Sequence, residues 1–257
     1  VEKALSRLRV PPERSAVVSG IGCSGRFSHY LNTYALHGTH GRALPTATGL
    51  KSARPDLTVL VVGGDGDSLG IGGGHLPHVA RKNVDLTFLI LDNQTYGLTK
   101  GQSSPTTPWG CLTKTSPYGA PEDALEVLPI LLAYDASFVA RTTSSQIEEM
   151  AGIITEAIRH PGFAVVHILS PCVTYPVLSW KGLRERLRPI PDAHPATDKA
   201  AALRLAYSAE PLYVGIFYSV RKPTLEARMS SLSRSALERY SSNGRPPTIP
   251  SLMERYL

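Results

Sequence analysis

Five runs of mostly apolar, often β-branched residues punctuate the chain: Ser15–Ser19, Leu57–Val62, Asp85–Leu91, Ser137–Ala140 and Phe163–Leu169. Each is four to seven residues long, and short runs of this composition predict strands. Three of them are nearly continuous in hydrophobicity, which predicts burial on both faces, as in a parallel sheet. Between the strands the period lengthens. In Gln146–His160 the residues Ile147, Met150, Ala151, Ile154, Ala157 and Ile158 recur at helical spacing. Ser145 with Glu148 predicts a capping box at its start, and Pro161-Gly162 a stop. A crossover helix is expected at about Gly72–Arg81. Strand-helix alternation predicts an α/β fold built on an open, doubly wound, mostly parallel sheet. From Ser179 onward the composition shifts to Pro, Arg and Ser. The expected organisation is therefore an α/β domain over 1–178 and a C-terminal arm over 179–257. That arm packs on the domain or on a partner, and a poorly ordered tail fits the same composition.

Composition narrows the class. The 257 residues are 42% hydrophobic and 19% charged, which excludes a charge-rich disordered chain. No apolar run approaches the ~20 residues of a membrane-spanning helix, and no secretory signal opens the sequence. A soluble, cytoplasmic protein is expected. Cysteines at 23, 111 and 172 do not make a disulfide scaffold. The net charge of +6 does not come from Lys/Arg runs interleaved with aromatics, so no nucleic-acid partner is expected. It comes from missing acids: 14–55, 68–84 and 93–121 contain no Asp or Glu. A solvated basic face is one reading. The other is an anion-binding region in which a few acids are kept for a metal.

Each of the four most unusual segments follows a predicted strand. They are Gly20–Arg26 (GIGCSGR), Gly63–Asp67 (GGDGD), Asp92–Gly97 (DNQTYG) and Ser170–Val173 (SPCV). In a parallel sheet all four share the carboxyl edge, where α/β proteins bind ligands. Gly20, Gly22 and Gly25 spell a formal GxGxxG, but the acid that would hold a ribose about 20 residues later is absent. The glycines are better read as allowing a close backbone approach. Asp65, flanked by Gly64 and Gly66, suits a hard cation, with Asn93 as an amide ligand and a backbone carbonyl after it. The 26 residues between Gly66 and Asn93 hold one crossover helix and a returning strand, placing both ligands at neighbouring strand ends.

GDG followed at this distance by Asn is the thiamine-diphosphate signature. The text from Gly64 to Thr107, GDGDSLGIGGGHLPHVARKNVDLTFLILDNQTYGLTKGQSSPTT, resembles the β subunits of 2-oxoacid:ferredoxin oxidoreductases. So do VVSGIGCSGRF (17–27), NTYALHGTHGRALPTATGLK (32–51), SPCVTYP (170–176) and PLYVGIFY (211–218). GIGCSGRF and HGTHGRALP place the resemblance nearest the 2-oxoglutarate branch. It implies Mg²⁺ on Asp65, Asn93 and the carbonyl of Thr95. Gly64, Gly66, Asp67, Gly97, Leu98 and Thr99 would line the diphosphate, and Cys23, Ser24 and His40 would approach the thiazolium and diphosphate. Asp92 departs from the family, which often has Asn there; only a local change is expected. Such subunits hold a [4Fe–4S] cluster on four cysteines. Cys23 and Cys172 match two of them, the CxxC pair is not in this sequence, and Cys111 matches none. A start at Val1 rather than Met leads us to expect that the chain begins downstream of that pair.

Lys100 and Arg26 are the cations nearest these segments, either as substrate-carboxylate partners or as solvated surface charges, and His40 joins them as a candidate catalytic residue. His29, His37, His75, His78 and His167 are expected only to pack or to lie on the surface. The resemblance implies CoA-dependent oxidative decarboxylation of a 2-oxoacid, with electrons passing to ferredoxin. It also implies an α subunit that supplies the pyrimidine-binding domain and a catalytic Glu, in an αβ or α2β2 assembly. The alternatives are a non-oxidative thiamine-dependent decarboxylase or ligase subunit, and a non-catalytic anion- or nucleic-acid-binding module.

Overall fold

All five apolar runs are strands in the computed structural model, which describes residues 1–241, and side-chain surroundings through residue 235. The chain opens with α1 (Glu2–Arg7), β1 (Ser15–Ser19), β2 (Tyr34–His37), α2 (Ala43–Ala53) and β3 (Thr58–Gly64). It continues through α3 (Leu76–Lys82), β4 (Leu86–Asp92), a two-stranded hairpin of β5 (Thr95–Tyr96) and β6 (Gln102–Ser103), and α4 (Val127–Ala133). Then follow β7 (Phe138–Thr143), α5 (Ile147–Arg159), β8 (Phe163–Leu169), α6 (Trp180–Arg186), β9 (Leu187–Pro189), α7 (Lys199–Ala206), β10 (Leu212–Ser219) and α8 (Leu225–Ser241). The main sheet has eight strands in the order β2-β1-β3-β4-β8-β7-β10-β9. The strands from β2 to β7 in that order run parallel, and β10 runs antiparallel to β7.

Continuous hydrophobicity has the expected cause. Every residue of β1, β7 and β8 is buried, and successive side chains serve opposite faces. Val59 and Val61 of β3 point to one core, shared with Leu44 and Ala47 of α2, Val79 of α3 and Leu128 of α4. Leu60 and Val62 point to the other, shared with Ala4 of α1 and Ile154 of α5. Burying each such side chain contributes about 1.5–3 kcal/mol, and a sheet sandwiched in this way holds its strand ends rigidly.

Several boundaries differ from expectation. The helix α5 lacks the predicted capping box: Gln146 is the N-cap and its side chain makes no capping bond. Glu148 turns outward instead, bonding Lys3 and, at 2.7 Å, Arg7 of α1. The crossover helix begins at Leu76 rather than Gly72, because the chain first makes a wide helical turn over Gly66–Ile71, kinked at Gly70, and a 3₁₀ turn over Gly73–His75. The sheet also extends past 178. Strand β10 pairs with β7, β9 pairs with β10, and α7 packs on α4. Residues 187–219 are thus woven into the fold, and the expectation for 242–257 lies outside the described residues. No described helix is long and apolar enough to cross a membrane.

Candidate functional site

Parallel pairing of β1 with β3, β3 with β4 and β4 with β8 sets four carboxyl ends side by side. The segments that leave them enclose a cleft of ≈ 320 Å³. Twelve residues expected at the cofactor all line it: Cys23, Ser24, His40, Gly64, Asp65, Gly66, Asp67, Asn93, Thr95, Gly97, Leu98 and Thr99. Arg26 and Lys100 do not. Arg26 is exposed with its guanidinium 5.9 Å from the Tyr30 ring centroid, and Lys100 is exposed in a turn with φ +80°.

Asp67 is the clamp of the upper wall. Its buried Oδ1 accepts the N–H of Ile21 at 2.9 Å, the N–H of Gly41 at 2.8 Å and Nδ1–H of His40 at 2.6 Å. One carboxylate therefore ties the loops after β1 and β2 to the end of β3. Gly20 is required beside it, since a Cβ there would lie 1.9 Å from Asp67 Oδ2. Gly66 is required for a second close approach: its Cβ would stand 2.1 Å from the Tyr96 ring, whose hydroxyl donates to the Gly66 carbonyl at 3.2 Å. The glycine pattern after β1 thus serves loop packing, as the missing ribose acid implied. Because the Asp67 carboxylate is spent on chain donors, this residue can serve an anion only through its backbone.

Asp65 lies at the floor with 2% exposure. Burial, and after it the nearby Asp92 carboxylate, push its pKa up to about 7. The Thr106 hydroxyl stands 2.9 Å from Asp65 Oδ2 and 2.9 Å from Asp92 Oδ1. Asp92 also accepts the Gln94 N–H at 3.0 Å, and its Oδ2 lies 2.8 Å from His167 Nε2. Burial holds the His167 imidazole below its usual pKa, so its Nε2–H donates to Asp92 from the neutral ring, while Nδ1 has no partner among the described residues. Two expectations from the sequence are corrected here. His167 is neither surface nor mere packing, and Asp92 is more than a local change, because its charge reaches Asp65.

The oxygens around Asp65 fit a hard cation. The donors to these two buried carboxylates, the Thr106 hydroxyl, the Gln94 N–H and the neutral His167 ring, carry no charge, so the floor is short of positive charge. Asn93 Oδ1 accepts the Thr95 N–H at 3.0 Å and has a second lone pair to offer, and both residues line the cleft. Among the described residues no three His, Cys, Asp or Glu side chains gather as a metal cluster. A cation here would take one carboxylate and neutral oxygens, the donor set of Mg²⁺. Cys23 and Cys172 are free thiols, both close to Gly97. A Cβ on that glycine would lie 3.4 Å from one sulfur and 3.7 Å from the other, so the two sulfurs are at most about 7 Å apart. Cys111 is also free and does not line the cleft.

Thr106, His167 and Tyr96 are contributors that the sequence did not reveal. Tyr96 stands inside a segment already singled out, but nothing in the sequence marks the hydroxyl of Thr106 or the imidazole inside an apolar strand.

Residues 20–168 match the family described as thiamine pyrophosphate enzyme, C-terminal TPP binding domain. Residues 172–234 match the family that forms the C terminal of the pyruvate ferredoxin oxidoreductase beta subunit. The chain is 47% identical over 180 residues to 2-oxoglutarate synthase subunit KorB of Archaeoglobus fulgidus, covering 68% of this chain and 67% of that protein. It is 39% identical over 249 residues to 2-oxoacid:ferredoxin oxidoreductase 1, subunit beta, of Aeropyrum pernix, covering 91% and 78%. Some of the relatives are longer: in one from the same organism, 2-oxoacid:ferredoxin oxidoreductase 2, subunit beta, the match spans 61% of the protein. A solved 2-oxoglutarate:ferredoxin oxidoreductase from Magnetococcus marinus, with 2-oxoglutarate, coenzyme A and succinyl-CoA bound, superposes with a TM-score of 0.90 at 38% identity. That match covers 95% of this chain and 87% of the other.

Proposed function

Since the chain belongs to the thiamine-pyrophosphate-binding β subunits of 2-oxoacid:ferredoxin oxidoreductases, we propose that its cleft holds thiamine diphosphate and one Mg²⁺ for the CoA-dependent oxidative decarboxylation of 2-oxoglutarate. The observation that carries this reading is the convergence of all twelve expected cofactor residues on one cleft at the carboxyl edge of the sheet. When bound, thiamine diphosphate supplies the electron sink that decarboxylation of a 2-oxoacid requires.

The chain's own residues do the rest. Asp65, Asn93 Oδ1 and the Thr95 carbonyl hold Mg²⁺. The backbone N–H groups of the helical turn over Gly66–Ile71 are available to the diphosphate. His40 presents the ring edge left free by its Nδ1–H bond to Asp67. Leu98, Ile21 and Tyr30, at 55%, 37% and 65% exposure, give the cleft an apolar rim. That rim suits an α subunit that closes the site and brings the pyrimidine-binding domain with its Glu, in an αβ or α2β2 assembly. Lys100 and Arg26, exposed beside the cleft, are available to the substrate carboxylate once that subunit is docked. Cys23 and Cys172 supply two of the four thiolates of a [4Fe–4S] cluster that passes electrons to ferredoxin.

The test is 2-oxoglutarate- and CoA-dependent reduction of ferredoxin by the chain co-purified with its α subunit. Activity should require both subunits, added thiamine diphosphate and Mg²⁺, and should vanish in Asp65→Ala. Full activity from the isolated chain, or an active Asp65→Ala enzyme, would overturn the reading.

A further inference from the structure

We propose that Thr106 is the positioning residue of the metal-binding carboxylate: its hydroxyl fixes the rotamer of Asp65 and the spacing between the two strand ends that share the cation. The inference rests on the Mg²⁺ reading above and extends it to a loop outside the cleft wall. Thr106 is 2% exposed and its Oγ1 lies 2.9 Å from both Asp65 Oδ2 and Asp92 Oδ1. Asp65 follows β3 and Asp92 ends β4, so one side chain spans the ends of adjacent strands. Its neighbours fasten the same loop. Thr107 Oγ1 donates to the Gln94 carbonyl at 2.7 Å and accepts the Ser104 N–H at 2.7 Å. Leu125 N–H caps the Pro105 carbonyl at 2.8 Å. Behind Asp92, His167 Nε2 at 2.8 Å fixes the carboxylate that in turn orients Thr106.

The physical requirement comes from the metal. Mg²⁺ accepts little departure from octahedral geometry, with ligands at about 2.0–2.1 Å. A carboxylate free to rotate, or two strand ends free to breathe, would cost affinity even with every ligand present. Partners that orient metal ligands typically contribute about 10–100-fold in metal affinity. Thr106→Val keeps the shape and removes the hydroxyl that bridges Asp65 and Asp92.

The experiment titrates Mg²⁺ into the assembled enzyme at fixed thiamine diphosphate and reads the cofactor retained on equilibrium dialysis. Thr106→Val should raise the half-saturating Mg²⁺ about 10–100-fold, and Thr106→Ser, which keeps the hydroxyl, should restore it. Thr106→Ala carries the same test if the valine protein fails to assemble. Unchanged half-saturation in Thr106→Val or Thr106→Ala would overturn the proposal. So would an equal rise in Thr106→Ser, which would assign the effect to packing by the methyl group. Asp65→Asn separates the two layers of argument. If it abolishes Mg²⁺-dependent retention while Thr106→Val does nothing, only the positioning role falls. If Asp65→Asn also leaves retention unchanged, the metal site itself falls.

Discussion

Replacing Gly20 by Ala places a methyl where there is no room and where the obstructing atom cannot yield cheaply. The new Cβ would stand 1.9 Å from Asp67 Oδ2 and 2.5 Å from its Cγ. Asp67 is 4% exposed, and its other oxygen holds Ile21 N, Gly41 N and His40 Nδ1. Moving the carboxylate therefore weakens three bonds to an ionised acceptor, each contributing about 1.5–3 kcal/mol. Keeping it in place leaves an overlap of the kind that costs about 1–3 kcal/mol. Partial relaxation between these limits gives a loss of about 3–5 kcal/mol. For a chain of this size each kcal/mol lowers the melting midpoint by about 2–4 °C, so a drop of about 6–20 °C is expected. Differential scanning calorimetry of the purified chain measures it. A double-mutant cycle identifies the cause: in an Asp67→Ala background, where nothing fills that space, Gly20→Ala should cost almost nothing. A midpoint within about 2 °C of the wild type, or an undiminished penalty in the Asp67→Ala background, would refute the clamp.

Other consequences follow from the same geometry. The carboxyl of Asp65, raised to about 7 by burial and by Asp92, binds a proton in the native chain over a pH range where the unfolded chain has lost it. Metal-free stability should therefore fall as pH rises from about 4 to about 7, levelling off above. Asp65→Asn should be the more stable protein at about pH 8, and the gap should close near about pH 4, in urea titrations across that range. Cys172→Ser, at a thiol that does not line the cleft, should strip iron from the assembled enzyme, read by iron analysis and visible absorption, and leave thiamine diphosphate retention unchanged. Glu148→Ala should leave the midpoint of chemical denaturation essentially where it is in the wild type, since its ion pairs with Lys3 and Arg7 are exposed.

The parts of the fold that were legible in the sequence share a physical cause. Strands β1 and β8 match their predicted bounds, because a strand buried on both faces is apolar throughout and ends abruptly at Gly20, Gly162 or Ser170. Strand β2 escaped because it is only four residues long and lies at the sheet edge with all four exposed, so its apolar residues Tyr34, Ala35 and Leu36 do not extend into a recognisable buried run. Strand β10 escaped because Gly215, at φ +135°, interrupts a half-buried run within a Pro- and Arg-rich segment. The cleft was legible for a topological reason: four odd segments each followed a strand, and parallel pairing alone brings such segments together. The network from Asp65 through Thr106 and Asp92 to His167 was not. Its members come from four separate stretches: strand register sets Asp92 beside Leu169 and Leu91 beside Ile168, and the loop carrying Thr106 folds back onto the strand ends. In the sequence, His167 stands between Val166 and Ile168 and gives no sign of the carboxylate it meets.

The central claim, that this cleft takes thiamine diphosphate through a cation on Asp65, is tested most directly by cofactor stoichiometry. The enzyme assembled with its partner subunit would be dialysed against thiamine diphosphate with Mg²⁺, with EDTA, and as the Asp65→Ala variant. The expected result is about one cofactor bound per chain with Mg²⁺ and almost none in the other two. Equal retention in all three would contradict the account.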